Sequence, residues 1–155
     1  MIGEISKLSF SIQPFESVFA ITPALNGASL TGIVSAFERE HQFEPAGGYG
    51  GLVPQWFEYG PLDRYFFGDF EENSYFAKLG DVYLLGCQCG EVGCWPLTAR
   101  ITVNNESVLW DMFQQPHRRE RDYSRFGPFV FELAQYRNAL ALLCDNFRER
   151  VSQGR

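Results

Sequence analysis

Between Asp81 and Met112 polar and apolar residues alternate with a period of two, through two reversals of direction. If Cys89 and Cys94 face each other across the turn Gly90-Glu91-Val92-Gly93, then Leu85 opposes Thr98, Tyr83 opposes Arg100 and Asp81 opposes Thr102. A second reversal at Asn104-Asn105, where Asn tolerates positive φ, pairs Val103 with Glu106, Ile101 with Val108, Ala99 with Trp110 and Leu97 with Met112. Val82, Leu84, Leu97, Ala99, Ile101 and Val103 then share one apolar face across three strands. A slip of one residue would turn that face to solvent, so the pattern predicts an antiparallel meander around which the rest of the chain is arranged.

The flanking segments read as follows. Leu8, Phe10 and Ile12 alternate with Ser9, Ser11 and Gln13, which predicts a half-buried strand, and Ser17 to Thr22 a second one ended by Pro23. Ser29 caps a helix in which Leu30, Ile33, Val34 and Phe37 fall on one stripe, with Glu38, Arg39 and Glu40 on the wet side. Phe129-Val130-Phe131 is extended, and a last helix runs from Glu132 to Arg150, with Leu133, Tyr136, Leu140, Leu143, Cys144 and Phe147 along its apolar stripe. From Phe43 to Gly68 periodicity gives way to Gly and Pro, yet Tyr49, Trp56, Phe57, Tyr59, Tyr65 and Phe66 mark an ordered loop that covers a sheet face or presents a surface. The prediction is one α+β domain over residues 1–155. It has an antiparallel meander extended by N-terminal strands, two helices and a long Gly/Pro/aromatic loop. A chain of 155 residues is long enough for a core without metal or disulfide support.

Thirteen basic and nineteen acidic side chains leave a net charge of −6, a field that repels phosphate backbones and disfavours nucleic acid and anionic membranes. A basic protein partner suits that field, and solubility accounts for it equally. No apolar run of about 18 residues occurs and no secretory signal opens the chain, so a cytoplasmic protein with reduced cysteines is expected.

The densest chemistry lies in Gly86-Cys-Gln-Cys-Gly-Glu-Val-Gly-Cys-Trp-Pro-Leu97. Cys87 and Cys89 point to one side of a strand, and Cys94 shares that side if it opposes Cys89. Tetrahedral zinc wants four ligands in Cys-x2–4-Cys pairs, whereas Cys-x-Cys-x4-Cys departs from that spacing and supplies three. His117, Cys144, His41 or a water are the candidates for a fourth. A redox reading makes Cys89 and Cys94 a reversible pair, although no Cys-x-x-Cys at a helix N-terminus lowers a thiol pKa. A packing reading sets reduced thiols against Trp95 and the aromatic loop. Cys144, on the helix stripe, reads as core.

Gln115 to Arg125 gathers His117, Arg118, Arg119, Arg121 and Arg125, and arginine forks grip carboxylates and phosphates. Glu120 and Asp122 interleave with them and can neutralise them locally. Gly47-Gly48-Tyr49-Gly50-Gly51 lacks the Lys-Ser/Thr of a phosphate loop, and no Gly-x-Ser-x-Gly, His-Glu-x-x-His or paired-carboxylate motif is present. The candidate binding residues are Tyr49, Trp56, Trp95, Arg118, Arg119 and Arg121.

Asn26-Gly-Ala-Ser-Leu30, Gly47-Gly-Tyr-Gly-Gly-Leu52, Gly60-Pro-Leu62, Gly93-Cys-Trp-Pro-Leu97, Gln115-Pro-His-Arg118, Arg121-Asp-Tyr123 and Phe126-Gly-Pro-Phe129 span nearly the whole chain. In these segments the chain resembles a family of uncharacterised bacterial cytosolic proteins. That family has no established activity, so the resemblance implies a bacterial cytosolic protein and transfers no catalytic residue. It also implies that the cysteine segment and the Gln-Pro-His-Arg loop belong to one design and meet in space. The expected function is a small protein-binding or accessory module of immunity type. The competing class is a thiol- or zinc-dependent enzyme or redox protein built on Cys87, Cys89, Cys94 and His117.

Overall fold

The computed structural model describes residues 4–69 and 81–153. The N-terminal part runs β1 (Ile5–Ser6), β2 (Leu8–Phe15), β3 (Val18–Leu25), β4 (Ala28–Ser29), α1 (Leu30–Glu40), β5 (Tyr49–Gly50) and α2 (Leu62–Tyr65). The C-terminal part runs β6 (Val82–Cys87), β7 (Leu97–Val103), β8 (Ser107–Gln114), β9 (Phe129–Glu132) and α3 (Leu133–Gln153). This is an α+β architecture with a six-stranded sheet in the order β1-β9-β8-β7-β6-β5 and a three-stranded sheet in the order β2-β3-β4.

The central meander forms with its register changed and most of its inward apolar set buried, while Val103, expected on the same face, is 43% exposed at the end of β7. Val103 pairs with Val108 and Ile101 with Trp110, a shift of one pleat from the expected pairing. Four residues, Asn104 to Ser107, make the turn because the Asn104 side-chain oxygen accepts the backbone N–H groups of Glu106 at 2.9 Å and Ser107 at 2.8 Å. Tyr83 pairs with Thr98 and Leu85 with Leu97, with an irregularity between them. A second irregularity places Met112 in the left-handed region (φ 54°), 59% exposed rather than opposite Leu97. Away from the irregularities both pairings move by two residues, an even count that keeps the inward set together, and Leu97, Ala99, Val108 and Trp110 are fully buried. At the irregularities the register slips by one further residue, which brings Leu85 opposite Leu97 and Thr98 opposite Gln114.

Most of the N-terminal strand residues build the separate small sheet instead of extending the meander. Of the strands that precede α1, only the two-residue β1 joins the main sheet, parallel to β9, while β5 from the aromatic loop pairs with β6 at the opposite edge. Pro23 does not end β3. It sits inside the strand opposite Phe10. Ile21 bonds Leu52 on the side away from β2, and Pro23, two residues on, lacks an N–H on that same side. Ser29 caps α1, its hydroxyl accepting Thr31 N–H at 3.3 Å. Glu38, expected on the wet side of α1, is fully buried. The aromatic loop contains a third short helix, α2, and delivers Tyr65 and Phe66 to the core.

Helix α3 starts one residue later than expected and lies against β2, where the Gln135 amide donates to the Leu8 carbonyl at 2.7 Å and accepts its N–H at 2.9 Å. Tyr136 accepts the Trp110 indole N–H at 3.0 Å and donates to the Phe66 carbonyl, tying α3, the sheet and the loop together. No helix among the described residues is long and apolar enough to cross a membrane.

Candidate metal centre and the buried carboxylate behind it

Strand β6 ends at Cys87, and two consecutive turns follow. Gly90 N–H donates to the Cys87 carbonyl at 2.8 Å, and Cys94 N–H to the Glu91 carbonyl at 3.2 Å. Val92 is buried and anchors the loop from inside. Gly90 has φ +94°, and a Cβ there would fall 2.6 Å from the Phe15 ring and 2.7 Å from the Trp56 ring. These turns curl the chain so that the sulfurs of Cys87, Cys89 and Cys94 all lie within 4.8 Å of one another. Convergence comes from two turns, not from the cross-strand pairing of Cys89 with Cys94 that alternation suggests.

All three cysteines are unbridged, with Cys87 half-buried and Cys89 and Cys94 exposed. Burial pushes the Cys87 thiol up to about 11. Cys89 is held below the usual thiol value because the Cys87 thiol and the Glu91 backbone N–H bond to its sulfur. A neighbouring thiol and a turn amide lower this thiol, a cause that spacing alone does not reveal.

Tetrahedral Zn–S bonds of about 2.3 Å set sulfurs roughly 3.8 Å apart. The three sulfurs lie within 4.8 Å of one another, so none is more than about 1 Å beyond that spacing. The donor set is soft, which suits zinc and thiophilic ions over calcium or magnesium.

The four candidates for a fourth position fare differently. His117 reaches the cysteine loop but gives its Nε2 to the Gly93 carbonyl at 2.6 Å, and it is outside the group of mutually close ligand atoms. Because a carbonyl can only accept, that nitrogen carries the proton. His41 stacks on Phe37 at 4.0 Å and pairs its Nδ1 with the Phe37 carbonyl. Cys144 is half-buried on α3 beside Leu62 and Phe147. Water therefore remains the candidate.

The basic loop does meet the cysteine segment. The Arg118 guanidinium lies 5.1 Å from the Trp95 ring and that of Arg121 5.6 Å from it. Trp56, 43% exposed, stands edge-on to Phe15 at 5.4 Å. Arg119 is exposed on a groove with Arg100, Asp111 and Tyr123. Tyr49 and Arg121, expected as surface binding residues, are buried instead. Arg121 is not neutralised by its neighbours Glu120 and Asp122. Its partner is Glu38, at 3.3 Å.

Glu38 is the residue that sequence reasoning missed. Its carboxylate accepts the Gly47 N–H at 2.8 Å, the Tyr49 hydroxyl at 2.7 Å and the Tyr123 hydroxyl at 2.5 Å as well as Arg121. Burial and the adjacent carboxylate raise both phenols, Tyr123 to about 12 and Tyr49 further, so both stay donors. A signal was present: Leu30, Val34 and Glu38 fall at i, i+4, i+8, on the apolar stripe.

No protein-family model, curated protein or solved structure matches the chain.

Proposed function

We propose that this chain is a small metal-thiolate module in which Cys87, Cys89 and Cys94 supply three sulfur ligands to one zinc or similarly thiophilic ion. The observation that carries the reading is the mutual approach of the three sulfurs to within 4.8 Å. The exposed Cys89 and Cys94 leave the fourth position to water or to a ligand brought from outside. Such a site belongs in a reducing compartment, since three adjacent thiols in an oxidising one would cross-link.

A protein partner is the companion reading. Exposed Trp56 and the Arg118 guanidinium over Trp95 flank the cysteine loop, and tryptophan and arginine dominate interface energetics. The metal loop then shapes a binding face, and no reaction is assigned to it.

Protein purified without a metal-affinity tag and analysed for metals and titratable thiols tests the proposal. About one zinc per chain with protected thiols is expected, lost in Cys89→Ser plus Cys94→Ser. Metal-free protein that takes up no zinc on reconstitution contradicts it. Replacing Trp56 and Arg118 by Ala should abolish any partner captured by the wild type, and unchanged capture removes the companion reading.

A further inference from the structure

We propose that Glu38 and Arg121 are positioning residues for the three cysteines, so that a buried charge pair on one side of Gly47–Gly51 sets the spacing of the sulfurs on the other. The consequence for metal binding rests on the metal-thiolate reading; the geometry stands independently of it.

The carboxylate fixes Gly47 through its N–H and Tyr49 through its hydroxyl. Arg121, paired with Glu38, donates its other Nη to the Pro45 carbonyl at 2.8 Å. Residues 45, 47 and 49 are thereby clamped by one ion pair. The same short segment then carries the metal loop. Gly48 accepts the Gln88 N–H at 3.0 Å, and Tyr49 pairs with Cys87 and Gly50 with Gly86. The Gly47 carbonyl accepts the Trp95 indole N–H at 2.9 Å.

Both ends of the loop are therefore tied to one carboxylate, Cys87 through its strand partner and Cys94 through the next residue, Trp95. Contact between the two backbones is direct. A Cβ on Gly50 would fall 2.8 Å from the Cys87 carbonyl oxygen and 2.9 Å from the Gln88 Cα. A shift at Gly50 has no side chain to absorb it and passes to Cys87. A buried ion pair is weak evidence for stability, but it enforces one arrangement of the groups it joins, and here those groups frame the ligand loop.

The test compares wild type with Glu38→Gln and with Tyr123→Phe, which keeps the charge and removes one donor. Leu140→Ala, a core truncation on α3, serves as the control for destabilisation. Alkylation of each cysteine by iodoacetamide is followed by mass spectrometry on metal-free protein. Zn2+ and Co2+ affinities and the Co2+ d–d spectrum are measured on the loaded protein.

Cys87 should be the slowest of the three to alkylate in wild type and should speed up at least about tenfold in Glu38→Gln. Metal affinity should fall about 10–100-fold with altered d–d bands, as when outer-sphere partners are lost elsewhere. Tyr123→Phe should move both in the same direction by a few-fold, and it decides the question if Glu38→Gln does not fold. Leu140→Ala should move neither. Unchanged alkylation and affinity in both network variants, or equal changes in Leu140→Ala, overturn the proposal. If wild type takes up no metal, the metal-thiolate reading fails, while the alkylation pattern still decides the positioning claim.

Discussion

Glu38→Gln removes a charge from a site with no solvent exposure and turns one of its two acceptors into a donor. Oε2 receives Tyr49, Tyr123 and Arg121, and Oε1 receives Gly47 N–H. The better amide placement keeps its oxygen at Oε2 and points its NH2 at another N–H. Bonds to a charged acceptor are each about 1 kcal/mol stronger than neutral ones, so three weaken, and the buried Gly47 N–H left unpaired adds about 1–3 kcal/mol. The total agrees with the roughly 3–5 kcal/mol measured for breaking buried ion pairs. For a chain of this length that lowers Tm by about 6–20 °C. Arg121→Met should fall in the same range because it leaves the carboxylate uncompensated. The double variant should be more stable than the sum of the two predicts, by about 0.5–3 kcal/mol. Urea unfolding of metal-free protein, followed by tryptophan fluorescence, provides the assay. A loss under about 1 kcal/mol in Glu38→Gln, or full additivity in the double variant, refutes the claim that these groups act as one unit.

Gly90→Ala should destabilise by about 1–3 kcal/mol, because an L-residue at φ +94° is strained and its Cβ must displace the Phe15 and Trp56 rings; a melting temperature within a degree of wild type rules that out. Stability should also fall in alkali. Tyr49 and Tyr123 remain protonated in the fold where the unfolded chain ionises, so their contribution is whole below about pH 10 and is lost as pH climbs through about 12, the Tyr123 value in the fold. Urea midpoints from pH 9 to 11.5 measure this, and Tyr123→Phe should flatten the decline; a profile equally steep in that variant argues against it.

The meander was legible because most of its inward set is apolar, and the two-residue shift in the regular stretch of each pairing leaves that parity unchanged. Its register was not. The four-residue turn depends on one Asn104 oxygen serving two backbone donors, and the irregularities at β6 and β8 leave no mark in the alternation. The buried network was half legible. Spacing placed Glu38 on the apolar stripe of α1, but its charge overrode that reading, and Arg121 lies 83 residues away with no local trace. The approach of the cysteines was legible from their spacing, though two turns rather than a strand pair produce it. His117 meets that loop through the Gly93 carbonyl, a contact that composition cannot specify.

X-ray absorption at the zinc edge of reconstituted wild-type protein probes the three-sulfur centre most directly. Three sulfurs at about 2.3 Å and one lighter atom at about 2.0 Å are expected, with two sulfurs remaining in Cys89→Ser. A first shell of nitrogen and oxygen alone, or one unchanged by that substitution, would show that Cys87, Cys89 and Cys94 do not share a metal.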